Sequence, residues 1–145
     1  MPEIAGFSHI NLTVTDLPAT RQFWTEVMGF ALVMEVGDFC LFLDPASFTA
    51  IGIKDHDGTA EGTFDERRPG LDHLALSVSD VGKLTQWAEH LEAHNIEHSE
   101  IEETGLGYHL NLRAPGRVPI ELFVLKPEAA ATLAAEPTEP TEPTE

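Results

Sequence analysis

The strongest constraint on this chain is that it contains one stretch twice. His9-Ile10-Asn11-Leu12-Thr13-Val14-Thr15-Asp16-Leu17 returns as His73-Leu74-Ala75-Leu76-Ser77-Val78-Ser79-Asp80-Val81, with four of nine positions identical and four conservatively exchanged. Each copy alternates. In an extended strand this puts Ile10, Leu12 and Val14, or Leu74, Leu76 and Val78, on one face, and the histidine with small or polar residues on the other. A repeated strand implies a repeated unit around it, and its histidine face points away from the main core.

The residues that follow each copy extend the repeat. Asp16 with Pro18 reads as a helix start, the proline standing in the first turn where a missing N–H costs nothing. Phe23, Trp24, Val27 and Met28 then recur at helical spacing, and Gly29 supplies a stop. Short strands are predicted at 30–36, 38–43 and 48–53. The stretch 55–70 has no period and reads as a linker. The second unit repeats the order. A strand over 71–78 leads to a helix over 80–93 capped by Asp80, with Val81, Leu84, Trp87, Ala88 and Leu91 on one stripe, and strands follow near 96–101, 107–113 and 119–125. The expected fold class is α+β, with two tandem βαβββ modules (about 5–54 and 71–126) in one domain over residues 1–126. His90, His94 and His98 share a four-residue spacing, and solvated side chains account for them better than a metal site does. Cys40 sits inside an apolar string and reads as core.

Composition narrows the function. Eight Lys and Arg against 25 Asp and Glu give a formal charge of −17, which opposes binding to nucleic acid or an anionic membrane surface. No apolar run reaches the length of a membrane span, and the N-terminus does not resemble a signal peptide, so a cytoplasmic location is expected. Residues 127–145 become Ala-rich and then repeat Glu-Pro-Thr. With nothing to bury, that tail is expected to be disordered or extended.

Strand parity identifies a candidate site. With Ile120, Leu122 and Val124 facing the helices, Glu121 points to the opposite side, as His73 does. A carboxylate inside an apolar strand is costly to bury unless a charge meets it. Overlaying Ile51-Gly52-Ile53 on Ile120-Glu121-Leu122 puts Gly52 at the matching position of the first module. His9, His73 and Glu121 together suit a divalent metal (Fe, Mn, Ni, Co or Zn) with positions left open for a small-molecule substrate. The competing account treats them as satisfied interior residues. By the same parity His109 and Asn111 join this face, which makes His109 a candidate general base or a hydrogen-bond donor to a ligand. Arg113, Arg67 and Arg68 are the few cations that could hold an anionic substrate, although solvation accounts for each of them better.

The paired modules, the His of each first strand, the Asp-Leu-Pro helix start with Phe-Trp and Met-Gly-Phe, and the closing Ile-Glu-Leu-Phe resemble the vicinal oxygen chelate superfamily, the glyoxalase, bleomycin resistance and extradiol dioxygenase group, over residues 5–126. The resemblance implies that each module curls into a half-open barrel. It implies a metal held by His9, His73 and Glu121 that chelates neighbouring substrate oxygens; the catalytic candidates are Glu121 and, from strand parity, His109. It also implies a homodimer, in which His9 of one chain can complete a site with His73 and Glu121 of the other. Gly52 at the fourth ligand position argues against a four-ligand site of the glyoxalase I kind. Extradiol and fosfomycin-transferase patterns fit incompletely: Tyr108 and His109 are adjacent, and few bases are present. Two functions are therefore expected as rivals, a metal-dependent lyase- or dioxygenase-type enzyme and a non-catalytic protein that sequesters a small toxic molecule.

Overall fold

A computed structural model describes residues 1–135. Its elements are β1 (Ile10–Thr13), α1 (Leu17–Gln22), β2 (Ala31–Val36), β3 (Phe39–Asp44), β4 (Thr49–Lys54), β5 (Leu74–Ser77), α2 (Val81–Ala93), β6 (Glu102–Glu103), β7 (Gly107–Arg113), β8 (Pro119–Leu125) and α3 (Pro127–Ala134). The strands form two four-stranded mixed sheets, ordered β1-β4-β3-β2 and β5-β8-β7-β6. The second order is the first shifted by four, so the duplication seen in the sequence is a duplication of topology. In each sheet the first strand runs parallel to the last and the remaining pairs are antiparallel.

Alternation sets what each sheet buries. Leu12, Val14, Ile51, Ile53, Leu110, Leu112, Ile120, Leu122 and Val124 lie in the core, while their strand neighbours Asn11, Gly52, Asn111 and Glu121 belong to the opposite face by parity. The helices cover the apolar side. Asp16 caps α1 by accepting from the Ala19 amide at 3.0 Å, and Asp80 caps α2 by accepting from the Lys83 amide at 2.9 Å. The Lys83 amide also holds the Asp80 carboxyl below the usual carboxylate range.

α1 does not run on as a regular helix to Gly29. Over Phe23–Val27 it widens into a π-helical turn, with the Met28 amide donating to the Phe23 carbonyl at 3.0 Å. The wider turn directs Phe23, Trp24, Val27 and Met28 together into the core, where Trp24 meets Phe23 and Phe30 edge to face. Gly29 then takes φ +76, and the chain turns into β2. Cys40 is fully buried, and burial with nearby Glu35 raises its thiol pKa, as befits an inert core residue.

Three further details depart from expectation. The strand expected near 96–101 shrinks to an isolated bridge between His98 and Leu112, followed by the two-residue β6. Ser99 explains the break, because its hydroxyl takes the Asn111 amide at 3.0 Å where a backbone carbonyl would continue the ladder. The segment beginning at Pro127 is helical through Ala134 and buries Ala129, so any extended tail starts later, and 136–145 lie outside the described residues. His90 is not a solvated residue: its Nε2 donates to the Val27 carbonyl at 2.8 Å and ties α2 to the end of the first module's helix.

The linker is likewise more than a spacer. Phe64 packs on the core and its amide donates to the Gly116 carbonyl at 3.1 Å, while Arg113 grips Glu66 at 2.7 and 3.3 Å. Hydrogen bonds from Arg113 pull the Glu66 carboxyl from 4.5 down to about 2. A carboxylate whose pKa is depressed on folding contributes in full above its ordinary value, and the contribution is lost as pH falls through the folded value. Hydrogen exchange at the Phe64 amide is therefore expected to accelerate as pH is lowered from 4.5 towards 2, beyond the intrinsic trend, and to lose that dependence in Glu66→Gln.

Candidate metal centre

The parallel pairing of β5 with β8 builds the site. Ala75 pairs with Glu121 and Leu74 with Ile120, so His73, just before β5, stands on the Glu121 face with only the small Ala75 side chain beside the carboxylate. His73 Nε2 lies 4.0 Å from Glu121 Oε1. Its Nδ1 is bonded to Asp72 Oδ2 at 2.7 Å, which fixes the ring and leaves Nε2 directed to the Glu121 side. The other carboxylate oxygen, Oε2, is bonded to His109 Nδ1 at 3.1 Å. His109 is largely buried and has a second carboxylate nearby, with Glu102 Oε2 at 3.3 Å from Nε2. That contact is too poorly aligned for a hydrogen bond, so Nε2 is a buried nitrogen with no hydrogen-bond partner among the described residues.

Asp72, His73, Glu121 and His109 thus form one chain of contacts. Each ligand candidate has an outer atom secured by a neighbour and an inner atom left free. His9 repeats the first half of this pattern, because Ser8 Oγ holds its Nδ1 at 2.9 Å as Asp72 holds that of His73. His9 lies in the exposed N-terminal segment, outside the contacts made by His73 and Glu121, and no three donors within one chain converge on a common point among the described residues. One imidazole and one carboxylate are therefore brought together here, and the second imidazole is not.

Gly52 has a physical reason to be glycine. A Cβ there would collide with Asn11 Oδ1 and come within 2.8 Å of the Phe39 ring. Asn11 pairs directly with Gly52 across β1 and β4, as Ala75 pairs with Glu121 across β5 and β8. The large polar side chain has changed strands between the modules: β8 carries it in the second, β1 in the first. The exchange is visible in the sequence once Asn11 is overlaid on Ala75. The carboxylate chemistry of one half-site is replaced by a neutral amide in the other.

The other candidates separate cleanly. Tyr108 lies on the opposite side of β7 from His109, packed on the core under the Lys126 ammonium, 5.1 Å from the ring centre. His94 and His98 bond to the backbone carbonyls of His90 and Ser99 at 2.9 and 2.7 Å. Arg67, Arg68 and Arg113 come together, joined by Arg117, which the sequence reading did not single out.

The two-module arrangement is that of a known class of protein. Residues 6–122 match the model of the Glyoxalase/Bleomycin resistance protein/Dioxygenase superfamily, and the chain belongs to that family. Among solved structures it is similar to a glyoxalase/bleomycin resistance protein/dioxygenase domain from Frankia sp. EAN1pec, at 28% identity and TM-score 0.78, covering 86% of this chain and 95% of that one. It has the fold of a lactoylglutathione lyase from Agrobacterium tumefaciens (18% identity, TM-score 0.69, covering 85% and 96%). It also shares the fold of the fosfomycin resistance protein FosX of Listeria monocytogenes (18% identity, TM-score 0.71, covering 90% and 99%). No curated protein matches the chain.

The close packing at Gly52 yields a test. Gly52→Ala is expected to destabilise the fold by about 1–3 kcal/mol through overpacking, and Asn11→Ala in the same chain is expected to recover part of that loss in urea denaturation.

Proposed function

We propose that this protein is a metal-dependent enzyme acting on a small substrate with two adjacent oxygens, of the lyase or dioxygenase type found in its superfamily. The observation that carries the reading is the pair of secured ligand candidates: Asp72 holds His73 Nδ1 and His109 holds Glu121 Oε2, so Nε2 and Oε1 are the atoms left facing each other. Imidazole nitrogen and carboxylate oxygen suit Fe, Mn, Ni, Co or Zn. FosX of Listeria monocytogenes has been crystallised with Mn(II).

Under this reading His73 and Glu121 hold the ion, and His9 of a second copy supplies the third ligand. A homodimer is supported by what one chain leaves uncovered. Ile4 and Phe7 beside His9, and Val33, Met34 and Val36 on the edge strand β2, are all half to fully exposed. The ion, when bound, supplies Lewis-acid polarisation of the substrate's adjacent oxygens. His109 keeps Glu121 oriented through Nδ1, with its buried Nε2 turned to Glu102, and so acts on the site through the carboxylate it holds. Asn11 adds a neutral amide from the other module's face.

A second reading is sequestration of a small toxic molecule without catalysis. It is favoured by the net charge of −17, which suits a cationic ligand, and by the absence of a three-donor cluster within one chain among the described residues.

Elemental analysis of purified protein is expected to find about one divalent ion per chain. His73→Ala is expected to abolish binding, and His109→Ala to weaken it about 10- to 100-fold while keeping the fold. A metal-free wild type that still binds a cationic antibiotic, with His73→Ala binding it equally well, would establish sequestration instead.

A further inference from the structure

Five of the eight basic residues are arginines, and four of those five, Arg67, Arg68, Arg113 and Arg117, line a single basin of about 540 Å³. Among the described residues only Asp65 and Glu66 oppose them there, which leaves a formal local charge of about +2 in a chain of net −17. Concentrating like charge is unfavourable unless something offsets it. The three lysines, Lys54, Lys83 and Lys126, lie elsewhere, so what has collected here is the planar, multidentate cation that matches oxyanions.

Bonds within the basin hold it in shape: they occupy most donors of Arg113 and some of Arg67, and leave Arg68 and Arg117 without a side-chain hydrogen bond among the described residues. Glu66 fixes the Arg113 fork, whose Nη1 also donates to the Arg117 carbonyl at 2.9 Å. Asp65 Oδ1 accepts from both the amide and Nε of Arg67, at 3.1 and 3.0 Å. Arg117 itself sits at φ +68, a left-handed conformation that non-glycine residues seldom adopt, and it makes no salt bridge among the described residues. The side chains of Arg67 and Arg68 are 88% and 84% exposed and face solvent with most of their donors free. The repulsion of the acidic remainder is screened beyond about 8 Å at physiological ionic strength, so an anion in the basin feels chiefly the arginines.

The cations converge from three backbone segments: the linker, the end of β7 and the turn before β8. Donors from several directions suit a tetrahedral dianion better than a planar carboxylate. We propose that this basin is a binding site for the phosphate group of a small molecule. Its place is at the mouth of the second module's open face, because Arg113 pairs with Pro119 two residues along from the Asn111–Glu121 pair. That is a step of about 7 Å along the strand. Phosphate binding at this point is independent of any metal at His73 and Glu121.

The test is a titration of the full chain with inorganic phosphate and with phenyl phosphate, at ionic strength matched with chloride, following the arginine Nε–H resonances. Succinate serves as the planar dianion for comparison. Saturable shifts are expected, with affinity reduced about tenfold in Arg117→Ala and in Arg68→Ala and largely kept in Arg117→Lys. Arg113 is left intact because its loss would free the linker. Shifts that chloride reproduces, unchanged affinity in both alanine variants with native circular dichroism, or tighter binding of succinate than of phosphate would each overturn the assignment.

Discussion

The parallel pairing of first and last strand in each module is the constraint on which the rest depends. It sets Ala75 opposite Glu121 and Asn11 opposite Gly52, and so decides which side chains share the open face. A slip of one residue would carry Glu121 into the core and Leu122 out of it. The apolar set on each central strand resists that slip: Ile120, Leu122 and Val124 are all buried, and so are Ile51 and Ile53. The energy that fixes the register is hydrophobic, and the position of the candidate ligands follows from it.

Much of this was legible in the sequence because period-two alternation and duplication are both local patterns. Asp16 and Asp80 announced their caps, and the parity of Glu121 could be read from its apolar neighbours. Other features were hidden because they depend on contacts distant in sequence. The Ser99 hydroxyl that interrupts the expected strand acts on Asn111, and His90 acts on Val27 across 63 positions. The π-helical turn at Phe23–Val27 leaves the same apolar spacing as a regular helix. The helix from Pro127 follows from ordinary Ala-rich propensity, outweighed in the reading by the Glu-Pro-Thr repeat beyond it. Of the site, the sequence showed the ligand candidates but not their supports: Asp72 was visible only as a neighbour of His73, and its grip on Nδ1 is a matter of rotamer.

Two copies of one module have come to carry different loads. The second holds an imidazole, a carboxylate and the partners that orient both. The first keeps an imidazole in an exposed segment and has filled the carboxylate's place with an amide from the neighbouring strand. Near the second module, the linker and the β7–β8 turn gather most of the arginines. Charge is therefore distributed unevenly along a chain that is acidic nearly everywhere.

The exchange between Asn11 and Gly52 bears on how such a chain can change. Restoring an acid at position 52 takes one codon, but the space it needs belongs to Asn11 and is bordered by Phe39. Either substitution alone produces a crowded or an emptied sheet face, so the way back to two equivalent half-sites passes through a poorer protein. The small residue facing a large one across this strand pair thus resists exchange one residue at a time.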